Sequence, residues 1–491
     1  MSRSLQCQMK KYATAGLAIA ALVGLQACDE LTSLGGQPMD NTPPTTSIAN
    51  VPPPNDADNL YSPLVEMSWT GQDPDGYISG FEVSWVTYHE TQGDSVVHDP
   101  FVTADETMII PFESSDVVNR QRILVRAIDN QGAIDPVGDT RTLYTRQGIP
   151  PETFLYYPKP GTKVFVAPES SPAWRGVGIY FTATDVDGWI RGYSLRVDDG
   201  EWSPWQTDTS FVITPDLLKR PLGGTHRVAI RSQDDTYIIE ETPVEFDLEL
   251  IEPTHHLDWL IVDATLDDNG GTERPTDEAV DEWYRHAMGE ISYDTWDLVT
   301  DGPLTRELLG QYHHVLWHSD NWRESPLVEY RTILTDYVRT GGRLVLSGWD
   351  VLVRFNNNQA VADSAWIYGD FVREILHVSA HRTIQDAKMR AVATSDGDTL
   401  EVDLSKLFVF RDGLYRVTDI SSPGPFAEPF LTYVAADEDS QHLDGLVVAL
   451  SYQNPQYRVV FLGFPMSFLT PEAGRKLITE IRAFMDSSFY F

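Results

Sequence analysis

One stretch of this sequence occurs twice, and the repetition constrains the fold more than any other feature. Residues 69–81 read WTGQDPDGYISGF, and residues 181–193 read FTATDVDGWIRGY. Each copy is followed by a second related segment, ILVRAIDNQG at 123–132 and VAIRSQDDTY at 228–237. The flanking runs alternate apolar and polar residues and are separated by turn residues, which is typical of antiparallel strands. The sequence therefore predicts two all-β sandwiches in tandem.

The repeated pattern is D-x-D-G-x-I-x-G followed later by R-x-x-D. It resembles the immunoglobulin-like and fibronectin type III-like modules found in tandem on bacterial envelope proteins. The resemblance covers residues 46–252 and implies one sandwich over 46–147 and a second over 148–253. Modules of this kind usually serve as spacers or adhesion surfaces.

Acidic residues outnumber basic ones by about two to one, 73 Asp+Glu against 36 Lys+Arg, which gives a net charge of −37. Such a surface repels phosphate backbones and anionic headgroups, so we expect no nucleic-acid partner. It suits cations, basic partners or a salty medium, but we favour solubility alone as its explanation. A length of 491 residues requires more than one core.

The N-terminus has the pattern of an export signal. Arg3, Lys10 and Lys11 precede an uncharged run over 12–27, which is shorter than the about 20 residues of a membrane span and fits the apolar core of a signal peptide. The run ends in LQAC at 25–28. This motif resembles the lipobox of bacterial lipoproteins, which implies cleavage before Cys28 and a lipid on its sulfur. A plain signal peptide is the alternative.

The lipobox resemblance predicts a signal peptide over 1–27 and, over 28–45, the lipidated Cys28 with a flexible tether rich in Gly, Pro, Asp and Thr. Since Cys7 and Cys28 are the two cysteines of the chain, the mature protein would hold neither a free thiol nor a disulfide. We expect an extracytoplasmic, membrane-anchored lipoprotein of the cell envelope. Whether it lies in the periplasm or at the outer membrane and cell surface stays open.

Two sets of side chains in the repeats are candidate binding residues. Carboxylates on turns suit Ca²⁺, which takes six to eight oxygen ligands, but aspartate is also an ordinary turn residue and the full calcium-loop motif is missing. The calcium candidates are Asp73, Asp75, Asp129 and Asp135 in the first copy and Asp185, Asp187, Asp234 and Asp235 in the second. Tryptophans can stack on sugars or fill a core; those of the second copy are Trp174, Trp189, Trp202 and Trp205.

The pattern changes after Pro253. Continuous apolar runs, typical of strands buried on both faces, occur at 259–262, 315–317, 344–346, 446–450 and 459–462. Helix starts are indicated at Ser325-Pro326 and Thr470-Pro471. Strands that alternate with helices predict an α/β domain over 254–491, with helices on both faces of a mostly parallel sheet.

This region resembles the class I glutamine amidotransferase-like fold, a flavodoxin-like three-layer sandwich. The resemblance rests on DWLIVDATLDDNG, YHHVLWHSDN, YVRTGGRLVLSGWD and YRVVFLGFPMSFL. Catalytic members carry a nucleophilic Cys on a tight turn after a strand, which we place near 346–349. No Cys occurs there, so the resemblance implies the fold without the activity.

Other residues could serve a hydrolase in this cleft. His318, Ser319 and Asp320 follow a predicted strand, Asp263 ends another, and Ser347 and Asp350 flank the expected turn. Ser347 lacks the G-x-S-x-G elbow that exposes a catalytic serine. We favour a lipid-anchored protein that binds an envelope protein or a glycan without catalysis. An envelope hydrolase and a structural part of a surface or secretion assembly are the alternatives.

Overall fold

The structure is a computed structural model that describes residues 40–49, 55–320, 326–355 and 363–487. Cys28, the predicted signal peptide and most of the predicted tether lie outside the described residues. Within them, no helix has the length and apolar character needed to cross a membrane. The chain forms two compact units. The first comprises residues up to Pro150 together with Asp185–Trp189 and Asp234–Ile238, and the second comprises the remainder.

The first sandwich has seven strands in a three-stranded sheet, β1-β2-β5, and a four-stranded sheet, β4-β3-β6-β7. The strands are β1 Thr45–Ala49, β2 Leu64–Gln72, β3 Ile78–His89, β4 Ser95–Thr103, β5 Thr107–Pro111, β6 Val118–Asp129 and β7 Asp139–Arg146. Burial alternates along β3 and β6, so one face of each strand fills the core. Trp69, Val83 and Phe112 lie there fully buried.

The second sandwich also has seven strands, in the sheets β12-β10-β8 and β11-β13-β14-β9. They are β8 Glu152–Tyr157, β9 Lys163–Phe165, β10 Val177–Thr184, β11 Ile190–Val197, β12 Ser210–Ile213, β13 Gly224–Asp234 and β14 Val244–Ile251. A short 3-10 helix, Pro215–Leu217, follows β12. Three-plus-four strand sandwiches are immunoglobulin-like. The prediction of tandem immunoglobulin-like modules is therefore confirmed.

The repeated D-x-D-G segment is a turn that docks against the turn after the R-x-x-D strand. In the first copy, Asn130 Oδ1 accepts the Tyr77 N–H at 3.1 Å. A Cβ atom at Gly76 would lie 2.1 Å from that same oxygen, and in the second copy a Cβ at Gly188 would lie 2.1 Å from Asp235 Oδ1. In each copy, an oxygen of the neighbouring residue, Asn130 or Asp235, occupies the space that a Cβ atom would take. Both copies therefore need glycine at this position.

The C-terminal region contains a nine-stranded sheet, β16-β15-β17-β18-β26-β25-β24-β21-β22, and a three-stranded sheet, β19-β20-β23. The strands are β15 Leu257–Asp263, β16 Tyr293–Asp297, β17 Tyr312–Ser319, β18 Arg343–Gly348, β19 Asp363–Ala365, β20 Val378–Ile384, β21 Met389–Thr394, β22 Thr399–Glu401, β23 Val417–Pro423, β24 Ala427–Ala435, β25 Val447–Gln453 and β26 Arg458–Leu462. The helices are α1 Asp277–Met288, α2 Arg306–Leu309, α3 Leu327–Arg339, α4 Val351–Arg354, α5 Phe371–Glu374 and α6 Pro471–Asp486. Short 3-10 helices lie at Leu404–Lys406, Glu438–Leu443 and Met466–Phe468.

The large sheet is only partly parallel. Strands β16, β15, β17, β18 and β26 run parallel to one another. The pairs β26–β25, β25–β24, β24–β21 and β21–β22 are antiparallel. Of the apolar run at 446–450, expected in a mostly parallel sheet, residues 447–450 lie in β25, whose pairings are antiparallel. A buried apolar run fits either pairing, so the sequence pattern did not separate them.

Helices cover both faces of the parallel strands. Along β15, Trp259 and Ile261 share a core with residues of α1 and α6, and Leu260 and Val262 share a second core with residues of α3. All four side chains are at most 2% exposed. Thr470 begins α6 as expected, since its hydroxyl accepts the Ala473 N–H at 3.3 Å. Ser325, the predicted cap of α3, lies outside the described residues.

Candidate functional site

The C-terminal ends of three parallel strands bring the predicted polar residues to one edge of the sheet. Asp263 at the end of β15 is in register with His318 of β17, and His318 is in register with Ser347 of β18. Ligands of open α/β sheets bind outside such strand ends. The structure therefore brings Asp263, His318 and Ser347 to one edge of the sheet, as predicted. The hydrogen bonds of these side chains determine which chemistry they can perform.

His318 is fully buried beside Asp263. Its Nδ1 lies 3.1 Å from Thr265 Oγ1 and 3.5 Å from Asp263 Oδ1, and its ring stacks on Tyr284 with centroids 4.0 Å apart. Nε2 has no hydrogen-bond partner among the described residues. Burial lowers the pKa of His318, so the imidazole is neutral at pH 7.

Asp320 links three segments of the core. Its Oδ2 accepts the Tyr284 hydroxyl at 3.0 Å and the Ser467 N–H at 3.1 Å, and its carbonyl accepts the Trp349 indole N–H at 2.9 Å. Burial, together with Asp320, raises the pKa of Tyr284 well above its usual value. Asp320 is fully buried and therefore acts as an anchor between α1, the turn after β18 and the segment after β26.

The Ser347 hydroxyl is occupied by backbone hydrogen bonds, and Ser319 is buried. The Ser347 hydroxyl donates to the Phe464 carbonyl at 3.1 Å and accepts the Met466 N–H at 3.1 Å. Ser319, 2% exposed, offers its carbonyl to the Trp349 N–H. A hydroxyl whose proton is held by a backbone carbonyl is not activated for attack.

Asp350 is the strained residue of the turn that joins β18 to α4. Its φ is 51°, in the left-handed region, whereas the sequence placed the tight turn one to four residues earlier, near 346–349. Its carboxylate accepts the Arg416 Nε–H at 2.6 Å. The charge of Asp350 is thus neutralised, which fits an anchoring role for this turn.

Three carboxylates meet beside His318. Burial raises the pKa of Asp263 to about 7, with Asp281 contributing, and burial followed by Asp263 and Asp281 raises that of Asp277 to about 7. Asp263 Oδ2 and Asp277 Oδ1 have no hydrogen-bond partner in the described part of the chain. Shifted carboxyl groups at a cleft are typical of functional sites.

A cavity of about 300 Å³ lies at the same end of the sheet. Gly270, Glu273, Ser467 and Phe468 contribute to its wall, as does Lys406, whose Nζ donates to the Ser467 carbonyl at 2.5 Å. Burial lowers the pKa of Lys406. The sequence analysis missed this lysine because the short helix that carries it has no motif.

Tyr284 was also missed, although a sequence signal for it exists. Val280, Trp283, Tyr284 and Ala287 form the buried stripe of α1, which is the helical spacing of an apolar face. A tyrosine in such a stripe needs a partner for its hydroxyl. Its partner, Asp320, is distant in the sequence and could not be assigned.

The first set of calcium candidates lies in turns of the first sandwich. Asp129 and Asp135 each accept backbone N–H groups of their own turns. Asp73 accepts the Asp75 N–H at 3.3 Å, and Asp75 accepts the Thr42 N–H at 3.0 Å. Burial, with Asp75 and Asp129 adding to it, raises the pKa of Asp73. Three of the four carboxylates therefore lie near one another.

The second set also comes together, around Asp234. Burial raises the pKa of Asp234 to about 7, and the charges of Asp185 and Asp235 add to it. The buried Oδ2 atoms of Asp234 and Asp235 have no hydrogen-bond partner among the described residues. Asp187 forms an ion pair with Arg146 at 3.1 Å. In the described ranges, no group of three or more His, Cys, Asp or Glu side chains is arranged to hold a metal ion.

Calcium binding at these turns stays a prediction, and a melting experiment tests it. A bound ion would raise the melting temperature in Ca²⁺ relative to a chelator by mass action. Mg²⁺ is the matched control because it demands a tighter octahedral shell. Equal melting curves in Ca²⁺, in Mg²⁺ and in the chelator would contradict calcium binding. The carboxylates would then serve only as hydrogen-bond acceptors within their turns.

Most of the four tryptophans of the second sequence copy are buried or stacked against arginine side chains. The Arg231 guanidinium lies 4.1 Å from the ring centroid of Trp202 and 5.2 Å from that of Trp205, a cation–π arrangement. Trp174 is 7% exposed, whereas Trp189 is 49% exposed. The sugar-stacking interpretation of this set therefore rests on Trp189 and the outer edge of Trp205.

Comparisons with known proteins give no family. No protein-family model matches the chain, and no curated protein matches it. Solved structures with local likeness include the fibronectin(III)-like modules of Clostridium thermocellum CbhA, at 16% identity over 42% of this chain and 95% of that one, with a TM-score of 0.20. Drosophila N-cadherin EC1-3 matches at 15% identity over 44% and 70% of the two chains, with a TM-score of 0.15.

A third likeness is to the β-galactosidase of Rahnella sp. R3, at 13% identity and a TM-score of 0.28. It covers 47% of this chain, which spans about a third (31%) of that enzyme. TM-scores this low carry no argument about activity. The assignment of the sandwiches rests on their own strand pairings.

Proposed function

We propose that this chain is a lipid-anchored cell-envelope protein that binds a partner without catalysing a reaction on it. The observation that carries the non-catalytic part is the state of the candidate nucleophile. The proton of the Ser347 hydroxyl is held by the Phe464 carbonyl, and residues 29–491 contain no cysteine. The two sandwiches then act as spacers between the anchor and the C-terminal region.

We also infer that residues 254–491 form an amidotransferase-like α/β domain without its nucleophile. In chain order, the parallel strands of the large sheet are arranged second, first, third, fourth and fifth, which is the flavodoxin-like order. The turn after the fourth of these strands carries Asp350 in a left-handed conformation. A fold can persist after its catalytic residue is lost, since the core and the site are separate requirements.

Acylation is tested by metabolic labelling of the full chain, expressed in a bacterium, with a palmitate analogue. We expect label in the wild type and no label in Cys28→Ser, which should also move from the membrane fraction to the soluble fraction. Cys7→Ser is the matched control and should remain labelled, because Cys7 lies in the predicted signal peptide. Label that survives Cys28→Ser would contradict the proposal.

The second candidate, an envelope hydrolase, is favoured by one observation. The raised pKa of Asp263, about 7, is suited to general acid–base chemistry, and the group lies beside His318. Screening the full chain against esters, amides and glycosides separates the two functions. Turnover that disappears in His318→Ala and persists in Tyr77→Ser would replace the non-catalytic proposal.

A structural role in a surface or secretion assembly is the third reading. Crosslinking in intact cells followed by purification would identify stoichiometric neighbours. A fixed set of envelope proteins recovered with the wild type, at constant ratio, would support it over a ligand-binding role.

A further inference from the structure

The two sandwiches give an internal comparison of their outer sheet faces. At the repeat offset of 112 residues, Tyr180 of β10 stands where the first sandwich has Ser68. In the first sandwich Ser47 pairs with Thr70, and in the second Phe154 pairs with the equivalent Thr182. The same face therefore changes from small polar residues to aromatic ones. Phe154 and Tyr180 are 41% and 54% exposed, although solvent-facing strand positions are ordinarily polar.

Tyr180 is held as a flat platform. A Cβ at Gly178 would lie 3.2 Å from Tyr180 Cε2. The Tyr180 ring therefore lies over Gly178, and a side chain at position 178 would crowd the ring. The Tyr157 ring lies beside it with centroids 6.3 Å apart and planes inclined by 56°. Burial is the main cause of a raised pKa at Tyr157.

The platform borders a groove of about 530 Å³, a volume within the roughly 300–1,000 Å³ of small-ligand sites. A polar wall of the groove is formed by Asp336 and Arg339 of α3 and Glu374 of α5. Arg175 contributes a further guanidinium from the loop before β10. All of these residues belong to the second compact unit.

The chemistry of the groove matches an uncharged polyhydroxylated ligand. Arg175 and Arg339 lie beside Glu374 and beside Asp336, whose carboxylate pairs with Arg306 at 2.5 Å, so the wall carries charges of both signs on a protein whose total is −37. Carboxylates accept hydroxyl protons and guanidinium groups donate to hydroxyl oxygens. An aromatic face contributes apolar contact area with little loss of conformational freedom. A sugar ring offers both an apolar C–H face and a rim of hydroxyls.

We propose that the groove between the Tyr157–Tyr180 pair and the Asp336–Arg339–Glu374 wall binds a neutral oligosaccharide, with one sugar ring stacked on Tyr180. This inference deepens the proposed binding function, on which it rests, by assigning a site and a ligand class. Phe154 and Tyr156, which is 64% exposed, extend the aromatic strip along β8.

The test is calorimetric titration of the full chain, solubilised in a detergent without a sugar headgroup, with cellohexaose, xylohexaose, mannohexaose and chitohexaose. We expect at least one hexasaccharide to bind with a Kd below about 1 mM. Tyr180→Ser, which installs the residue of the first sandwich, should weaken that binding by about tenfold, and Tyr180→Trp should retain it.

Tyr77→Ser is the matched control, since Tyr77 is 68% exposed on the first sandwich, and it should bind as the wild type does. A melting curve confirms that each variant is folded. Failure of all four hexasaccharides to bind, or equal binding by Tyr180→Ser and the wild type, overturns the proposal. Palmitate labelling at Cys28 is independent of this outcome, so loss of the glycan site and loss of the anchoring proposal are distinguishable.

Discussion

Replacing Asp263 by Asn should make the protein more stable than the wild type at pH 8, by a margin that is smaller at pH 5.5 and disappears near pH 4. The wild-type carboxyl group has a pKa raised from 3.8 to about 7, first by burial and then by Asp281. Between those values the native state binds more protons than the unfolded state, so the free energy of unfolding falls as pH rises. The protonated group's contribution is full below about pH 4 and lost as pH passes about 7.

The size of the effect follows because the free energy of unfolding changes by about 1.4 kcal/mol per pH unit for one proton. From pH 5.5 to 8 the variant should gain about 2 kcal/mol relative to the wild type. Asn can still accept the Thr265 N–H that Asp263 Oδ1 accepts at 2.7 Å, so the turn is preserved. Urea unfolding at several pH values measures the difference. Asp208→Asn, at an exposed position, is the control and should show no such trend. If the difference in unfolding free energy between Asp263→Asn and the wild type did not change with pH, the raised pKa of Asp263 would be contradicted.

Gly474→Ala should destabilise the C-terminal region by about 2 kcal/mol, against the trend of helix propensity. Alanine in a helix interior is ordinarily about 1 kcal/mol better than glycine. Here, however, a Cβ at Gly474 would lie 2.3 Å from Cζ2 of Trp283. The indole is 4% exposed and is fixed by its N–H bond to the Leu469 carbonyl at 2.9 Å. It cannot withdraw without breaking that bond, so overpacking outweighs propensity.

Denaturant unfolding measures this cost, and two variants sharpen the comparison. Thr479→Ala on the exposed side of α6 should be nearly neutral. In a Trp283→Phe background, the cost of Gly474→Ala should fall by about 1 kcal/mol, because the smaller ring leaves room and contacting residues couple. An equal cost in both backgrounds would place the strain elsewhere.

Much of the secondary structure could be predicted from local patterns. The repeated D-x-D-G turn predicted two sandwiches, and the apolar runs at 259–262, 315–317, 344–346 and 459–462 all lie in strands of the large sheet. Thr470 marked a helix start, since its hydroxyl caps the first turn of α6. These features depend on neighbours within a few residues, which a sequence displays directly.

The candidate site was predictable in location and not in chemistry. Strand ends placed Asp263, His318 and Ser347 at one edge, because parallel strands share their C-terminal edge. The Ser347 hydroxyl donates to the Phe464 carbonyl, 117 positions away in the sequence. The Tyr284 hydroxyl donates to Asp320, 36 positions away. No local pattern carries such information.

The sequence by itself determined the tandem sandwiches, the strands buried on both faces and the lack of a cysteine nucleophile, since composition and short-range periodicity are written in the chain. Tertiary structure alone decided which polar groups are buried, paired or shifted in pKa. It also decided which aromatic rings face a groove. Desolvation and hydrogen bonding act between groups brought together from distant positions, so they exist only once the layers have packed.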